Sequence, residues 1–198
     1  MKANPLEING EVILPGERRT LNIPVAALVT NSDVDLTVQI IHGKKPGPVL
    51  LVSAAIHGDE LNGVEIIRRL LKLRQLNSLS GTLLVAPIVN VHGFLAHSRY
   101  LPDGRDLNRS FPGSAKGSLA GRLAHSFMNK IVCHATHGID LHTGARHRAN
   151  LPQIRFDPNN ADCSMMARAF GLPVILHSES KEGTFRKAAE DRGIPIIL

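Results

Sequence analysis

The sequence predicts an α/β fold, a three-layer α/β/α sandwich with a mixed, largely parallel sheet. Apolar strand-like runs alternate with segments whose apolar residues recur at helical spacing, which is typical of parallel strands joined by crossover helices. The chain has 198 residues, of which 43% are hydrophobic. That length and composition are enough for one such domain with a substantial core.

The first 42 residues are predicted to lead into the fold as a pair of strands. Residues 1–18 are interpreted as an irregular lead-in. Alternating apolar residues predict strands over 19–29 and 34–40, and the Asn-Ser-Asp turn at 31–33 predicts that they pair antiparallel. We therefore divide the chain into a strand pair at 1–42 and an α/β domain at 43–198.

The stretch 48–71 predicts a strand, a tight loop and a helix in succession. Residues 49–56 are continuously apolar or small, as in a buried strand, and 61–71 carry apolar residues at helical spacing. The loop places His57 and Glu60 at the carboxyl end of a strand, where open α/β sheets bind ligands. Imidazole and carboxylate both suit Zn²⁺, but this pair alone is a weak signal that needs a third ligand.

The rest of the chain continues the alternation of strands and helices. The segment 90–117 lacks periodicity and is rich in polar and turn residues, so it is interpreted as a functional loop. The other predicted elements are strand 82–89, helix 119–134, strand 138–143, strand 153–156, helix 161–170, strand 172–176, helix 183–192 and strand 194–198.

His142 is the best-placed candidate for the third ligand among the ten histidines. Its predicted strand ends at the same sheet edge as His57, and catalytic zinc sites draw ligands from separate elements. Asp140 shares a strand face with His142, because alternate strand residues point the same way. We therefore expect Asp140 to hold the His142 imidazole in one tautomer. A hydrogen-bonded core histidine is the alternative for His142.

Three motifs, taken in order, resemble the succinylglutamate desuccinylase/aspartoacylase family of the wider zinc carboxypeptidase fold group. They are HGDE after an apolar strand, RYLPDGRDLNRSFPG in the long loop, and DLHTG, and the resemblance covers about 36–198. It implies a zinc carboxypeptidase-like, phosphorylase/hydrolase-like fold. It also implies one Zn²⁺ per chain, held by His57, Glu60 and His142.

The resemblance places Arg99 near the scissile carbonyl of a substrate. There a guanidinium can stabilise the oxyanion that forms when water attacks an amide. Arg105 is the alternative for this role, because the loop that carries both arginines is longer than in aspartoacylase. The neighbouring Asp103 and Asp106 are interpreted as residues that fix the loop.

The resemblance also implies three substrate-binding residues. Asn108 and Arg109 are implied to bind a carboxylate, which suits the paired donors of a guanidinium. A surface salt bridge is the alternative for Arg109. Arg186 lies in a GTFR segment similar to one of the family and is implied to contact the substrate as well.

A general-base glutamate is a further part that the resemblance implies, since such hydrolases need a carboxylate to accept a proton from metal-bound water. The family carries it after a strand like the GIPIIL run here, so it is expected just after Leu198. The chain is accordingly expected to stop before this glutamate and before a C-terminal β-rich domain. Glu179, Glu182 and Glu190 are the alternatives within the chain, although solvated charge is the simpler interpretation of all three.

Charge and composition limit the other functional classes. The net charge is +6 and the isoelectric point is near 9.7, but the basic residues are scattered and lack aromatic neighbours, so no nucleic-acid partner is expected. No apolar run approaches the roughly 18 residues of a membrane span, and the N-terminus lacks an apolar signal core. With two cysteines in no CxxC motif, these features predict a cytoplasmic protein without a membrane partner.

The motifs and the resemblance together predict a zinc-dependent hydrolase that cleaves the amide bond of an N-acyl amino acid or a similar small carboxylated amide. A metallocarboxypeptidase that trims peptide C-termini is one alternative, and an inactive, truncated metal-binding domain is another. Nucleic-acid binding rests on net charge alone. Self-association into a homo-oligomer is left open.

Overall fold

A computed structural model of the chain describes residues 2–27, 33–144 and 147–198. Within these ranges, a strand-rich start is followed by alternating strands and helices. The strands are β1 (Leu6–Ile8), β2 (Glu11–Ile13), β3 (Arg18–Ala27), β4 (Asp33–His42), β5 (Lys45–Ala54), β6 (Ser80–Ala86), β7 (His137–Leu141), β8 (Gln153–Phe156), β9 (Val174–His177) and β10 (Ile196–Ile197). The helices are α1 (Asn62–Leu70), α2 (Val91–Leu95), α3 (Leu119–Lys130), α4 (Ala161–Phe170) and α5 (Phe185–Glu190).

A six-stranded mixed sheet forms the centre of the fold, in the spatial order β10-β7-β5-β6-β4-β3. The strands β10, β7, β5 and β6 run parallel to one another, whereas β4 is antiparallel to both β6 and β3. The predicted antiparallel pair is the β3–β4 pair, and it belongs to this sheet. Residues 31–32 of the predicted turn lie outside the described residues. The prediction of a mixed, largely parallel sheet is confirmed.

Helices cover both faces of this sheet. Neighbouring residues of β5 point to opposite faces. Leu51 packs in the cluster that holds Phe127 of α3 and Phe185 of α5, whereas Val52 packs with Ile67 of α1. The α4 cluster shares a partly buried β7 residue with the α1 cluster, so α4 lies on the α1 face. The predicted α/β/α sandwich is confirmed.

A second, two-stranded parallel sheet of β8 and β9 lies at the β10 edge. Reciprocal backbone hydrogen bonds of 2.7 and 2.9 Å between Arg155 and Leu198 join β8 to the end of β10. The α4 helix packs on this small sheet through Cys163 and Ala167. As a result, α4 and β8 stand opposite α1 across the face of β7.

The interpretation of 1–18 as an irregular lead-in is wrong. β1 and β2 form an antiparallel hairpin in this segment, and its Ile8 and Ile13 are fully buried in the core. The turn between the strands is Asn9-Gly10, and both residues have positive φ angles, of 52° and 80°. An Asn-Gly turn with this twist matches the twist of paired strands, so it favours a hairpin even when the strands are short.

The interpretation of 90–117 as a loop without regular structure is also wrong in part. The α2 helix and a short 3-10 helix (Leu107–Arg109) lie within it. Each begins at a side-chain cap: Asn90 accepts a hydrogen bond from the Gly93 amide, and Asp106 accepts one from the Asn108 amide. Of the other predicted elements, strand 153–156 and helix 161–170 have the predicted bounds, and the rest are present with shifted bounds within the described residues. In the described parts of the chain, no helix has the length and apolar character needed to cross a membrane.

Candidate metal centre and active site

The chain turns sharply after β5 and brings His57 and Glu60 to the carboxyl edge of the sheet. Ala55 has a φ of 51°, a left-handed conformation that is uncommon for alanine and is found at functional sites. Gly58 lies against the α2 backbone, where a Cβ atom would stand 1.9 Å from the Gly93 carbonyl carbon. Only glycine allows this approach, which explains the glycine inside the HGDE motif.

His57, Glu60 and His142 converge at this edge. The Nδ1 atom of His57 lies 2.7 Å from Oε1 of Glu60, and the Nδ1 atom of His142 lies 2.9 Å from Oε2 of the same carboxylate. One ligand atom of each residue lies within 4.8 Å of the others. Two imidazoles and a carboxylate are a ligand set for a divalent metal ion. The three residues therefore form a candidate His-Glu-His metal site.

Each imidazole also contacts a second carboxylate through its Nε2 atom. His57 donates to Asp106 Oδ1 at 3.1 Å, and His142 donates to Asp140 Oδ2 at 2.8 Å. Because a carboxylate only accepts, these bonds place a proton on Nε2 of each ring. The Nδ1 atoms, which face Glu60, are then the atoms that can bind a metal ion once it displaces their own protons. Asp140 is itself fixed by Ser53 Oγ, which donates to its Oδ1 at 2.8 Å. This arrangement fits a resident metal ion.

Asp106 joins the candidate metal site to Arg99. Its Oδ2 atom accepts hydrogen bonds from Arg99 Nε at 3.1 Å and Nη2 at 2.9 Å, while its Oδ1 atom contacts His57. Asp106 was predicted from the sequence only to fix the loop, and its link to His57 and Arg99 was not predicted. The sequence feature that could have indicated a role at the site is the position of Asp106 in the DLNR motif, two residues before Asn108.

The surrounding charges shift the pKa values of the three candidate ligands. Burial alone would lower the pKa of His142, but the carboxylates of Asp140 and Glu60 outweigh burial and raise it to about 10. The pKa of His57 is also raised, because hydrogen bonds to Asp106 and Glu60 outweigh burial. Burial would raise the pKa of Glu60, but hydrogen bonds from both imidazoles hold it well below its usual range. A metal ion therefore has to displace protons from these imidazoles.

Arg99 reaches the candidate metal site, whereas Arg105 does not. The Nη1 atom of Arg99 lies 3.3 Å from His57 Nδ1 and 3.7 Å from Glu60 Oε1. Arg105 is exposed, and its Nε atom lies 3.8 Å from Asp103 Oδ2, outside the residues that line the cavity described below. Of the two arginines considered for the carbonyl, Arg99 is thus the one beside the ligands. Its role remains a prediction.

Asn108 and Arg109 lie on the short 3-10 helix and line the same cavity as the candidate ligands. Asn108 is buried, and its Oδ1 atom accepts a hydrogen bond of 2.9 Å from the Phe185 amide at the start of α5. Its amide nitrogen is therefore the atom that can donate to a ligand. The Arg109 Nη1 atom donates to the Asn108 carbonyl oxygen at 2.6 Å, which holds the guanidinium beside Asn108.

Arg186 is not brought to this site. Its Nη2 atom donates to the carbonyl oxygens of Ser178 at 2.6 Å and Glu179 at 2.8 Å, and it is not among the described residues that line the cavity. Glu179, Glu182 and Glu190 are also outside that set. The substrate-binding role of Arg186 stays a prediction that this geometry does not favour.

One cavity of about 960 Å³ contains the candidate ligands. It runs from them along the face of β7, between α1 and the α4–β8 unit, and Leu198 forms part of its wall. Asp59 of the HGDE motif also lines it, and among the described residues Asp59 Oδ1 has no hydrogen-bond partner. No role was predicted for Asp59 from the sequence.

The model of the succinylglutamate desuccinylase/aspartoacylase catalytic domain matches residues 46–198. The chain belongs to the succinylglutamate desuccinylase/aspartoacylase family. This confirms the resemblance carried by the three motifs. The match begins in β5 and includes all three candidate ligands.

Relatives of known sequence and structure agree with this family. The N-alpha-acetyl-L-2,4-diaminobutyric acid deacetylase of Halomonas elongata is 30% identical over 155 residues, which are 74% of this chain and 45% of that protein. The succinylglutamate desuccinylase/aspartoacylase structure from Rhodobacter sphaeroides is 28% identical, with a TM-score of 0.80 over 91% of this chain and 56% of that one. An aspartoacylase family protein from Mesorhizobium loti is 27% identical, with a TM-score of 0.81 over 98% and 64%. The chain thus spans about half the length of the curated relative that it matches.

Proposed function

We propose that this protein is a zinc-dependent hydrolase that cleaves the amide bond of an N-acyl amino acid or a similar small carboxylated amide. The observation that carries the proposal is the convergence of His57, Glu60 and His142 in a cavity that Asn108 and Arg109 also line. Membership of the family and similarity to a deacetylase support it.

The proposed chemistry divides between a zinc ion and the surrounding side chains. Zinc held by His57, Glu60 and His142 would supply a Lewis acid for the carbonyl and lower the pKa of a bound water. Asp106 and Asp140 keep the two imidazoles oriented with Nδ1 toward Glu60. Their negative charges also raise ligand basicity, which strengthens metal binding.

Arg99 and Arg109 are proposed to act on different parts of the substrate, the attacked carbonyl and the carboxylate. Arg99 is held by Asp106 with Nη1 directed at the candidate ligands, so it can stabilise the oxyanion that develops on the attacked carbonyl. Arg109 and the Asn108 amide are proposed to bind the carboxylate. The substrate amide would then lie between these two groups.

The general base is proposed to be a glutamate directly after Leu198. β10 runs parallel to β7, and Leu198 lines the cavity, so a residue at the next position would stand beside the candidate ligands. Among the described carboxylates that line the cavity, Glu60 and Asp140 contact the histidines, which leaves Asp59 as the alternative base.

Amine release from N-acetyl amino acids by the zinc-loaded protein tests the proposal. We expect a longer chain that continues past Leu198 with a glutamate to exceed the 198-residue chain by about 10²–10⁴-fold at equal zinc content. If both hydrolyse the amides equally, Asp59→Asn should abolish the activity instead. Release of C-terminal amino acids from short peptides, without hydrolysis of N-acetyl amino acids, would contradict the proposal and favour a carboxypeptidase.

A further inference from the structure

Four large apolar side chains line the cavity and yet are exposed. They belong to two opposite walls: Leu61 precedes α1 and Ile66 lies within it, whereas Leu151 and Phe170 lie on the α4–β8 side. Ile66 is 52% exposed, Leu151 63% and Phe170 44%. Apolar side chains that face one another across a cavity mark a surface that binds an apolar ligand.

The floor between these walls is also apolar. Ile139 and Leu141 of β7 are only half-buried, since neither α1 nor α4 covers them fully, and both line the cavity. We call the set Leu61, Ile66, Ile139, Leu141, Leu151 and Phe170 the apolar groove. It is continuous with the candidate ligands, because the groove residues and His57, Glu60 and His142 line the same cavity.

The groove and the carboxylate-binding pair lie toward opposite faces of the sheet. Asn108 is anchored to the first residue of α5, on the face that α3 and α5 cover, whereas the groove lies on the α1 face. The candidate ligands stand between them at the sheet edge. In an N-acyl amino acid, the carboxylate and the acyl group are on opposite sides of the amide. With its carboxylate at Arg109 and its amide at the metal, a substrate directs its acyl group into the groove.

We propose that the acyl group of the substrate is an apolar chain or ring larger than acetyl, and that the apolar groove binds it. This inference rests on the proposed function. The cavity of about 960 Å³ is near the upper end of the 300–1,000 Å³ typical of small-molecule sites, roughly the size for a drug-sized ligand. An acetyl group would leave the groove empty.

An anionic acyl group is the competing interpretation, because the exposed side chains of Arg148 and Arg155 also line the cavity. The two interpretations predict opposite responses to a terminal carboxylate. An apolar groove favours an alkyl chain over a carboxylate of the same length, whereas an arginine site favours the carboxylate. The ligands tested below therefore include both an alkyl acyl group and an acyl group that ends in a carboxylate.

The test measures the affinity of the zinc-loaded protein for N-acetylglycine, N-pentanoylglycine, N-decanoylglycine and N-succinylglycine by calorimetry. We expect affinity to rise about two- to fourfold per methylene that enters the groove, and N-pentanoylglycine to bind more tightly than N-succinylglycine. Equal affinity across the alkyl series, or tighter binding of N-succinylglycine, would overturn the proposal.

Two substitutions localise the effect. Leu151→Asp should cost N-decanoylglycine at least about tenfold in affinity and leave N-acetylglycine unchanged. Met165→Asp is the matched control, because Met165 is 59% exposed on α4 and is not among the described residues that line the cavity. A loss of the same size in both variants would overturn the assignment to the groove.

The same samples separate this inference from the proposed function. Affinity that rises with chain length, without amine release from any probe even by the longer chain that carries a glutamate after Leu198, would keep the groove and contradict the hydrolase. Amine release that ignores chain length would keep the hydrolase and overturn the groove. Sedimentation tests a second copy of the chain as the occupant: a dimer that Leu151→Asp dissociates, with no dependence on chain length, would also overturn the proposal.

Discussion

The imidazole of His57 and the carboxylate of Asp106 lie 3.1 Å apart, between the Nε2 and Oδ1 atoms. The other oxygen of the same carboxylate binds the guanidinium of Arg99. One side chain thus sets the orientation of a candidate metal ligand and of the arginine beside it. Any change at Asp106 should therefore alter both metal affinity and the stabilisation of charge at the site.

Replacement of Asp106 by asparagine should weaken zinc binding by about 10–100-fold, because the ligand imidazole loses its charged partner. Competition with a chelator of known affinity measures the effect. Asp103→Asn is the matched control, since Asp103 lies in the same loop and accepts hydrogen bonds from the Arg105 amide of that loop and the Ala120 amide at the start of α3. Equal zinc affinity in the wild type and Asp106→Asn would contradict the positioning role.

Zinc binding should release protons. The pKa of His142 is raised to about 10, so its imidazole carries a second proton at neutral pH before the metal binds, and the pKa of His57 is raised as well. Because zinc competes with these protons, its affinity should increase with pH until the pH reaches about 10. Calorimetry at pH 7 in buffers of different ionisation enthalpy should show one to two protons released per zinc. Binding without proton release would show that the imidazoles are already neutral.

The packing of α1 on the sheet predicts opposite effects of two glycine-to-alanine substitutions. A Cβ atom on Gly63 would lie 2.8 Å from Ala54 Cβ and 2.9 Å from Leu141 Cβ, so Gly63→Ala should destabilise the fold by about 1–3 kcal/mol. A Cβ atom on Gly121 of α3 would lie in ordinary contact with Ser118 Oγ at 3.4 Å, so Gly121→Ala should stabilise the fold by about 0.5–1 kcal/mol. Urea unfolding measures both. A stabilising Gly63→Ala would contradict the close packing of α1.

Arg109→Lys should raise KM for a carboxylated amide about 10–100-fold with little change in kcat, because lysine cannot offer the planar pair of donors. The matched control is Arg105→Lys, since Arg105 is exposed in the same loop and lies outside the described cavity wall. For the same substrate with its carboxylate converted to an amide, Arg109→Lys and the wild type should have the same KM. If both substrates are affected equally, Arg109 does not bind the carboxylate.

The parallel core was predictable from the sequence because buried parallel strands are long apolar runs. The β1–β2 hairpin was missed because its strands have three residues each, too short for periodicity to be visible. Its Asn9-Gly10 turn carried the signal that was overlooked. The α2 helix spans five residues, and its start depends on the Asn90 cap rather than on an apolar stripe.

The candidate ligands were predictable because they are tied to short motifs at strand ends. The link through Asp106 was not, since it joins residues 49 positions apart in the chain. The location of Arg186 was also hidden, because the carbonyl oxygens that bind its guanidinium belong to a loop whose path depends on tertiary packing. Motifs identify residue types, whereas contacts between distant segments require the fold.

The most direct test of the His57–Glu60–His142 metal site is a measurement of bound zinc. Zinc content is measured by mass spectrometry, after dialysis against zinc and then buffer, in the wild type and in His57→Ala, His142→Ala and His137→Ala. His137 is the control because it begins β7, at the opposite end of that strand from His142. We expect one zinc per chain in the wild type and in His137→Ala, and less than about a tenth of that in the other two variants, because each of them loses one of three protein ligands. Stoichiometric zinc in both His57→Ala and His142→Ala would contradict the site.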